Sequence, residues 1–228
     1  MRLIKKYETR YQNTEKKLFP TEFVVRWFKG TYPNWTLDRP TKNKRVLDLG
    51  FGDGRNFSLF LEQELEIFGV EISSKIVKKV QQKFKATISA ENLKVGFNGA
   101  LPFPNHSFDF IVACHSIYYM AHDGSIQKNL AEVARCLKKD ALLLCSIPKQ
   151  SSYLVKNSNP VDNYHALVEG DPIGLRDGEK VGYASSESDI LELFSEHFSE
   201  ITIGSVENNW WGITEDCWIV SCKKDHLV

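Results

Sequence analysis

The sequence predicts an α/β fold in which a doubly wound, mainly parallel sheet of seven strands has an antiparallel last strand. Short apolar runs rich in β-branched residues alternate with amphipathic helical patterns, and closely spaced glycines follow the first run directly. This alternation is typical of an open sheet covered by helices on both faces. A chain of 228 residues is long enough for one such domain, and we therefore expect a single domain over 1–228.

Five strand candidates come first, and a different pattern follows them. The candidates are Arg45–Leu49, Glu66–Glu71, 93–97, 108–114 and 141–147. After residue 186 a helix near 188–197 leads into strand candidates at 200–206 and 217–222, which a short aromatic loop separates. That spacing predicts an antiparallel hairpin, because a parallel crossover needs a longer connection. We expect Trp210 and Trp211 in the loop to cover the end of the sheet.

Two flanking regions lie outside the alternation. Residues 1–40 indicate an N-terminal helical cap, in which Tyr7, Arg10 and Tyr11 either fold over a ligand or form an exposed helix face. Residues 148–186 are rich in Gly, Asn, Pro and Asp and suggest a lid-like insertion. Within it, His165 is a candidate for a substrate pocket.

Charge and cysteine content limit the classes of partner. Lys plus Arg and Asp plus Glu both number 29, and this zero net charge argues against a nucleic-acid partner. No apolar stretch is long enough to span a bilayer, so we expect no membrane partner and a cytoplasmic location. The five cysteines form no CxxC pair or Cys/His cluster, which predicts free thiols and no metal site. The oligomeric state is left open.

The clearest motif is VLDLGFGDGRN at 46–56, where a strand runs into a glycine loop and then a helix. Such a loop predicts a nucleotide-type ligand, with free amides at the helix N-terminus for an anion. The dinucleotide fingerprint is G-x-G-x-x-G, whereas Arg55 occupies the place of its last glycine here. Glu71, seventeen residues beyond Gly54, is placed to accept hydrogen bonds from ribose hydroxyls. A nicotinamide-dependent oxidoreductase remains an alternative.

Together with FGVEIS at 68–73 and ALPFPNHSFDFIVACHSIYY at 100–119, this motif resembles the class I S-adenosylmethionine-dependent methyltransferases (type 11-like). The stretch 101–109 is similar to the LPFPDNSFD segment that is common in that family. The resemblance implies a Rossmann-like fold, S-adenosylmethionine as the cofactor and S-adenosylhomocysteine as its product.

The resemblance also implies roles along the first two motifs. Asp48 would reach the amino group of the methionine moiety, directly or through water. Gly50, Phe51 and Gly52 would line the methionine and the ribose. Glu71 would take the ribose hydroxyls, and, in the next position, Ile72 would pack against adenine.

A second group of residues corresponds to the adenine and the boundary with the acceptor. The family often has an acidic residue near Asn98, Gly99 and Ala100; here the side-chain carbonyl of Asn98 can replace it as the acceptor for the adenine amine. Cys114 either lines the cofactor pocket or is a plain buried thiol.

Acceptor chemistry is expected just after the fourth strand. His115, with an ordinary pKa of about 6.5, is a candidate general base, although it can instead orient the cofactor. Tyr118 and Tyr119 either line the acceptor pocket or pack beneath the cap. We therefore predict methyl transfer to the oxygen or nitrogen of a small molecule. The alternatives are the oxidoreductase and a cofactor-binding module without catalysis.

Overall fold

The computed structural model describes residues 2–11, 18–32, 37–39, 41–120 and 123–225, so part of the predicted loop at 31–40 lies outside them. The strands within these ranges are β1 (Arg45–Leu49), β2 (Glu66–Glu71), β3 (Leu93–Val95), β4 (Phe108–Ala113), β5 (Leu137–Pro148), β6 (Asn159–Asp162), β7 (His165–Leu167), β8 (Lys180–Gly182), β9 (Phe198–Trp210) and β10 (Ile213–Lys224). The α-helices are α1 (Arg2–Arg10), α2 (Glu22–Lys29), α3 (Phe57–Glu62), α4 (Ser74–Lys83), α5 (Ile126–Cys136) and α6 (Glu187–Phe194).

The main sheet has seven strands in the order β3-β2-β1-β4-β5-β10-β9. Strands β1 to β5 pair in parallel, whereas β10 is antiparallel to both β5 and β9. The predicted fold, including its antiparallel last strand, is confirmed. The carboxyl ends of β1, β2, β4 and β5 consequently meet at one edge, where open α/β sheets bind ligands.

Helices cover both faces because side chains alternate along each buried strand. Val46 packs on the face covered by α2, α3 and α4, and the adjacent Leu47 packs on the opposite face with α5 and α6. The cap helix α2 is also fixed to strand β10, since Trp27 Nε1 donates to Ser221 Oγ over 2.9 Å in the interior.

Five strand predictions differ from the structure in length: the fourth strand is one residue shorter than predicted, both strands of the last hairpin are longer, and the third and fifth differ as follows. The third strand ends at Val95 and not at 97, because a turn closed by a hydrogen bond from Ala100 N to Phe97 O (3.0 Å) follows it. The fifth begins at Leu137, directly after α5, and not at 141.

The insertion at 148–186 contains a small antiparallel sheet in the order β6-β7-β8. It is anchored to the segment after β4, where Gly182 N donates to Tyr118 O over 2.8 Å. Turn-forming residues concealed these short strands from pattern-based prediction.

The terminal hairpin of β9 and β10 extends beyond the end of β5. Pairing between β5 and β10 stops at Pro148 and Cys217, so the remainder of the hairpin projects past the carboxyl edge. Its two-residue turn has positive φ at Trp211 (51°) and Gly212 (93°), as a type I′ turn requires. Trp211 is 95% exposed, so the expectation that it covers the sheet end is wrong.

Strand β9 is an outer edge of the main sheet and carries a bulge. The register between β9 and β10 shifts between the pairs Thr202–Ser221 and Ser199–Lys223. Glu200 lies in the shifted stretch with φ of 49°.

Candidate functional site

The glycine loop after β1 presents bare backbone to the carboxyl edge of the sheet. Gly50 and Gly52 have φ of 72° and 56°, a region that favours glycine. A Cβ at Gly50 would lie 2.6 Å from Ser116 Cβ, and one at Gly52 would lie 2.8 Å from the hydroxyl of Tyr11. The loop therefore tolerates no side chain at either position.

The amides of this loop are already used within the protein. The amides of Gly50 and Phe51 donate to Val70 O (2.9 and 3.3 Å), and that of Gly54 donates to Phe51 O (2.9 Å). The amide of Gly52 donates to Glu71 Oε1 over 3.2 Å. The expectation of free amides for an anion therefore fails at these four positions, which leaves them no donor for a pyrophosphate.

Glu71 is a buried carboxylate, 8% exposed, at the end of β2. Its second oxygen accepts from Ile72 N over 2.6 Å. Burial raises the pKa of Glu71, and hydrogen bonds from the amides of Ile72, Gly52 and Ser73 oppose this rise. A carboxylate oxygen can accept more than one hydrogen bond, so both oxygens can still bind hydroxyl groups. The side chain of Ile72 is 37% exposed beside it, although it is apolar.

Asp48, near the end of β1, is 1% exposed. Burial raises its pKa to about 7, and the negative charges of Glu71 and Asp53 add to this rise. A hydrogen bond from Asn56 opposes it. The bond from Asn56 Nδ2 is long, at 3.5 Å. A cation bound nearby would stabilise the ionised carboxylate.

The side chain of Phe51 does not line this cradle. It is 3% exposed and packs on Phe57, with ring centroids 5.5 Å apart. Phe51 can therefore contribute to the predicted site only through its backbone.

The segment at 98–100 approaches the same edge from the turn after β3. Asn98 Nδ2 donates to Ser116 O (2.7 Å) and Tyr119 O (2.8 Å), and no described residue donates to its side-chain carbonyl. Gly99 and Ala100 are exposed in this turn. The amide carbonyl of Asn98 therefore keeps its acceptor capacity, as the sequence predicts.

His115 lies just past β4 in a left-handed backbone conformation, with φ of 51°. Its amide donates to Ser146 Oγ (2.9 Å), Nδ1 is 3.3 Å from the same oxygen, and Nε2 is 3.3 Å from Glu215 Oε1. The carboxylate of Glu215 can only accept a hydrogen bond, so the ring proton lies on Nε2, and Nδ1 accepts from the hydroxyl of Ser146. Burial lowers the pKa of His115 although the charge of Glu215 opposes this, so the imidazole is neutral at pH 7.

Cys114 is a thiol that packs against the cap. Its Sγ donates to Thr21 Oγ1 over 3.3 Å, just before α2. Burial raises its pKa to about 12, so it is protonated at neutral pH and is a poor nucleophile.

The structure separates the two tyrosines after His115. Tyr118 is 4% exposed and packs in the main core, so it belongs to the fold and not to a pocket wall. Tyr119 accepts a hydrogen bond from Arg176 Nε over 2.5 Å. Its ring lies 6.4 Å from that of Tyr7 in an edge-to-face arrangement.

His165 is a structural residue, and its proposed place in the substrate pocket is wrong. Nε2 accepts from Ile126 N (3.0 Å) at the start of α5, and Nδ1 is 2.7 Å from Asp162 Oδ1. Both ring nitrogens are thus occupied within the fold.

The N-terminal helix α1 lies over the glycine loop. Glu8 accepts from Ser73 Oγ (2.8 Å) and pairs with Lys75 Nζ (2.9 Å), which fixes α1 to the start of α4. On the other side, Lys6 Nζ donates to Gly174 O over 2.9 Å and so contacts the insertion. The helix thereby joins two regions that flank the site.

Sequence patterns did not identify Glu215 or Ser146 as site residues. Glu215 reaches the site only because the hairpin continues past β5, and no local pattern reveals the length of that extension. Ser146 lies within an apolar strand and is 0% exposed, so only the pairing of β4 with β5 brings it to His115.

Comparisons with known proteins agree with this geometry. A family model described as a methyltransferase domain matches residues 46–140. The uncharacterized methyltransferase YcgJ of Bacillus subtilis is 36% identical over 102 residues, which is 44% of this chain and 39% of that protein. Over residues 46–140 the chain is thus similar to methyltransferase domains. Like this relative, two other curated proteins are matched over less than half of their own length, 48% and 43%.

Solved methyltransferase structures share the fold of this chain over nearly its whole length. A structure of S-adenosylmethionine-dependent methyltransferases from Methanosarcina mazei superposes with a TM-score of 0.63 at 16% identity, over 91% of this chain and 99% of the other. The N-methyltransferase NodS of Bradyrhizobium japonicum, solved with S-adenosyl-L-homocysteine, gives 0.64 at 12% identity, over 99% and 100%. Among the described residues, no helix is long and apolar enough to cross a membrane.

Proposed function

We propose that this chain binds S-adenosylmethionine at the carboxyl edge of β1, β2 and β4 and transfers its methyl group to the oxygen or nitrogen of a small molecule. The observation that carries the proposal is the pair of buried carboxylates, Asp48 and Glu71, beside a glycine loop whose amides at positions 50, 51, 52 and 54 are already bonded. Such a site favours a ligand with positive charge and free hydroxyls over one with a pyrophosphate.

Each half of the ligand has a matching group. Glu71 would hold the ribose hydroxyls, and the exposed face of Ile72 would pack against adenine. Asp48 would attract the amino group of the methionine moiety, which would hold the carboxylate ionised despite its burial. When bound, the cofactor supplies an electrophilic methyl group on a sulfonium.

The chain itself aligns the acceptor and controls protons. Methyl transfer is a displacement, so the protein mainly needs to orient the acceptor and exclude water. The residue that follows α1 would help to exclude water, since the side chain of Tyr11 lies against Gly52. The carboxylate of Glu215 would take the proton that an O–H or N–H acceptor releases, and neutral His115, whose Nε2 lies 3.3 Å from it, would orient that carboxylate.

Calorimetric titration with S-adenosylhomocysteine tests the cofactor site, with NADH as the comparison ligand. Glu71→Gln removes a charged acceptor and should weaken S-adenosylhomocysteine binding about tenfold to a hundredfold. Glu66→Gln at the opposite end of β2 is the matched control, because Glu66 pairs with Arg45 over 3.5 Å away from the carboxyl edge, and this change should leave binding unchanged.

Other outcomes would contradict this function. Failure to bind S-adenosylhomocysteine, or tighter binding of NADH, would replace the proposal with the oxidoreductase alternative. Binding that is never followed by transfer of labelled methyl groups into small molecules would indicate a binding module without catalysis. Transfer into the precipitated protein or RNA of an extract would contradict the small-molecule acceptor.

A further inference from the structure

We propose that the acceptor carries a carboxylate and that Arg176, in the insertion, is the residue that binds it. This inference rests on the proposed function and adds a substrate class to it.

Arg176 is a nearly buried cation with part of its guanidinium unused. The residue is 8% exposed. Nε donates to Tyr119 Oη over 2.5 Å, and Nη1 is 3.4 Å from Asp171 Oδ2. No described residue accepts a hydrogen bond from Nη2. This nitrogen is also not fully buried. That nitrogen is therefore open to a ligand.

The ion pair with Asp171 compensates this cation weakly. Asp171 Oδ1 accepts from Ile173 N (2.9 Å), and Oδ2 accepts from the amides of Leu175 and Arg176 (both 3.0 Å). The carboxylate thus serves mainly to shape the loop, and its contact with Nη1 is longer than an ordinary hydrogen bond. A buried cation with an incomplete partner favours an anionic ligand.

The position of Arg176 places this cation on the acceptor side of the site. Its partner Tyr119 follows His115 by four residues, and the ring of Tyr7 on α1 lies 6.4 Å from the ring of Tyr119. Lys6, also on α1, donates to Leu175 O over 3.2 Å, one residue before Arg176. Arg176 therefore lies beneath the helix that covers the site.

These groups together define a ligand class. A guanidinium binds planar anionic oxygens well, and the tyrosine rings offer an amphipathic wall for the remainder of the molecule. One open nitrogen and one partly compensated charge fit a monoanion better than a phosphate dianion. The acceptor is therefore expected to have a carboxylate at one end and its O–H or N–H group near His115.

The test uses protein saturated with S-adenosylhomocysteine and four probes: benzoate, propionate, benzamide and phenyl phosphate. By calorimetry, benzoate should bind at least about tenfold more tightly than the neutral benzamide, which has the same shape. Arg176→Gln should remove that difference, and Arg176→Lys should restore part of it because the charge returns without the planar donors. Tyr119→Phe, which keeps the cation, should preserve the preference for benzoate.

The affinity for S-adenosylhomocysteine separates failure of this inference from failure of the proposed function. Unchanged cofactor affinity in Arg176→Gln shows that the variant is folded. If neither carboxylate binds to the loaded wild type, or benzamide equals benzoate, the inference is overturned and the cofactor site stands. Tighter binding of phenyl phosphate would replace the carboxylate with a phosphate.

Arg55 provides a matched comparison, because it is an exposed arginine beside the glycine loop that pairs with Asp53 over 3.4 Å. Arg55→Gln should leave the benzoate preference unchanged. If Arg176→Gln instead weakens S-adenosylhomocysteine binding and leaves the probes unaffected, Arg176 binds the carboxylate of the cofactor, and the inference is wrong.

Discussion

At the scale of the residue, burial of Asp48 disfavours the ionised form of its carboxyl group. Its pKa of about 7 in the fold lies well above the ordinary value of 3.8. Between these pH values the native state binds more protons than the unfolded chain, so the contribution of Asp48 to stability falls as the pH rises through this window. Asp48→Asn should remove the decline. Urea unfolding at pH 5 and pH 8 measures the free energy of unfolding. From pH 5 to pH 8 this free energy should fall by about 3 kcal/mol more in the wild type than in the variant. Equal pH dependence in both proteins would show that Asp48 titrates normally.

At the scale of the element, α1 is held at both sides, and its contacts should control how fast the cofactor leaves. Glu8→Ala removes the partner of Ser73 and Lys75, and should raise the dissociation rate of S-adenosylhomocysteine about twofold to fivefold with an unchanged association rate. Thr9→Ala is the control, because the only side-chain hydrogen bond that Thr9 makes to a described residue is to Lys5 O (3.0 Å) in its own helix. Stopped-flow displacement measures the dissociation rate, and stopped-flow mixing with the ligand measures the association rate. Equal dissociation rates in the two variants would show that α1 does not limit release.

The elements also differ in how far the sequence predicts them. Strand β1, the glycine loop and β2 follow from local patterns, because buried parallel strands are continuous apolar runs and the turn from β1 into α3 needs glycine. The same patterns locate Asp48 and Glu71. They do not locate Glu215, whose position depends on the length of the hairpin beyond β5, and they misplace His165, whose partners Ile126 and Asp162 come together only through tertiary contacts.

At the scale of the whole molecule, the bond from Trp27 to Ser221 joins the N-terminal cap to the last strand. Trp27→Phe leaves a buried hydroxyl unpaired and should lower the free energy of unfolding by about 1–3 kcal/mol, with unchanged affinity for S-adenosylhomocysteine. Denaturant unfolding of Trp27→Phe, of Ser221→Ala and of the double variant measures the coupling. The double variant should recover part of the loss; simple addition of the two single effects would show that the bond contributes little.

The bulge in β9 has a consequence for how copies of this molecule meet in solution. A long outer strand offers unpaired amides and carbonyls on which a second chain could add its own strand. The kink at Glu200 interrupts that row. The same bend that disturbs the register of the hairpin thus protects the sheet against edge-to-edge aggregation.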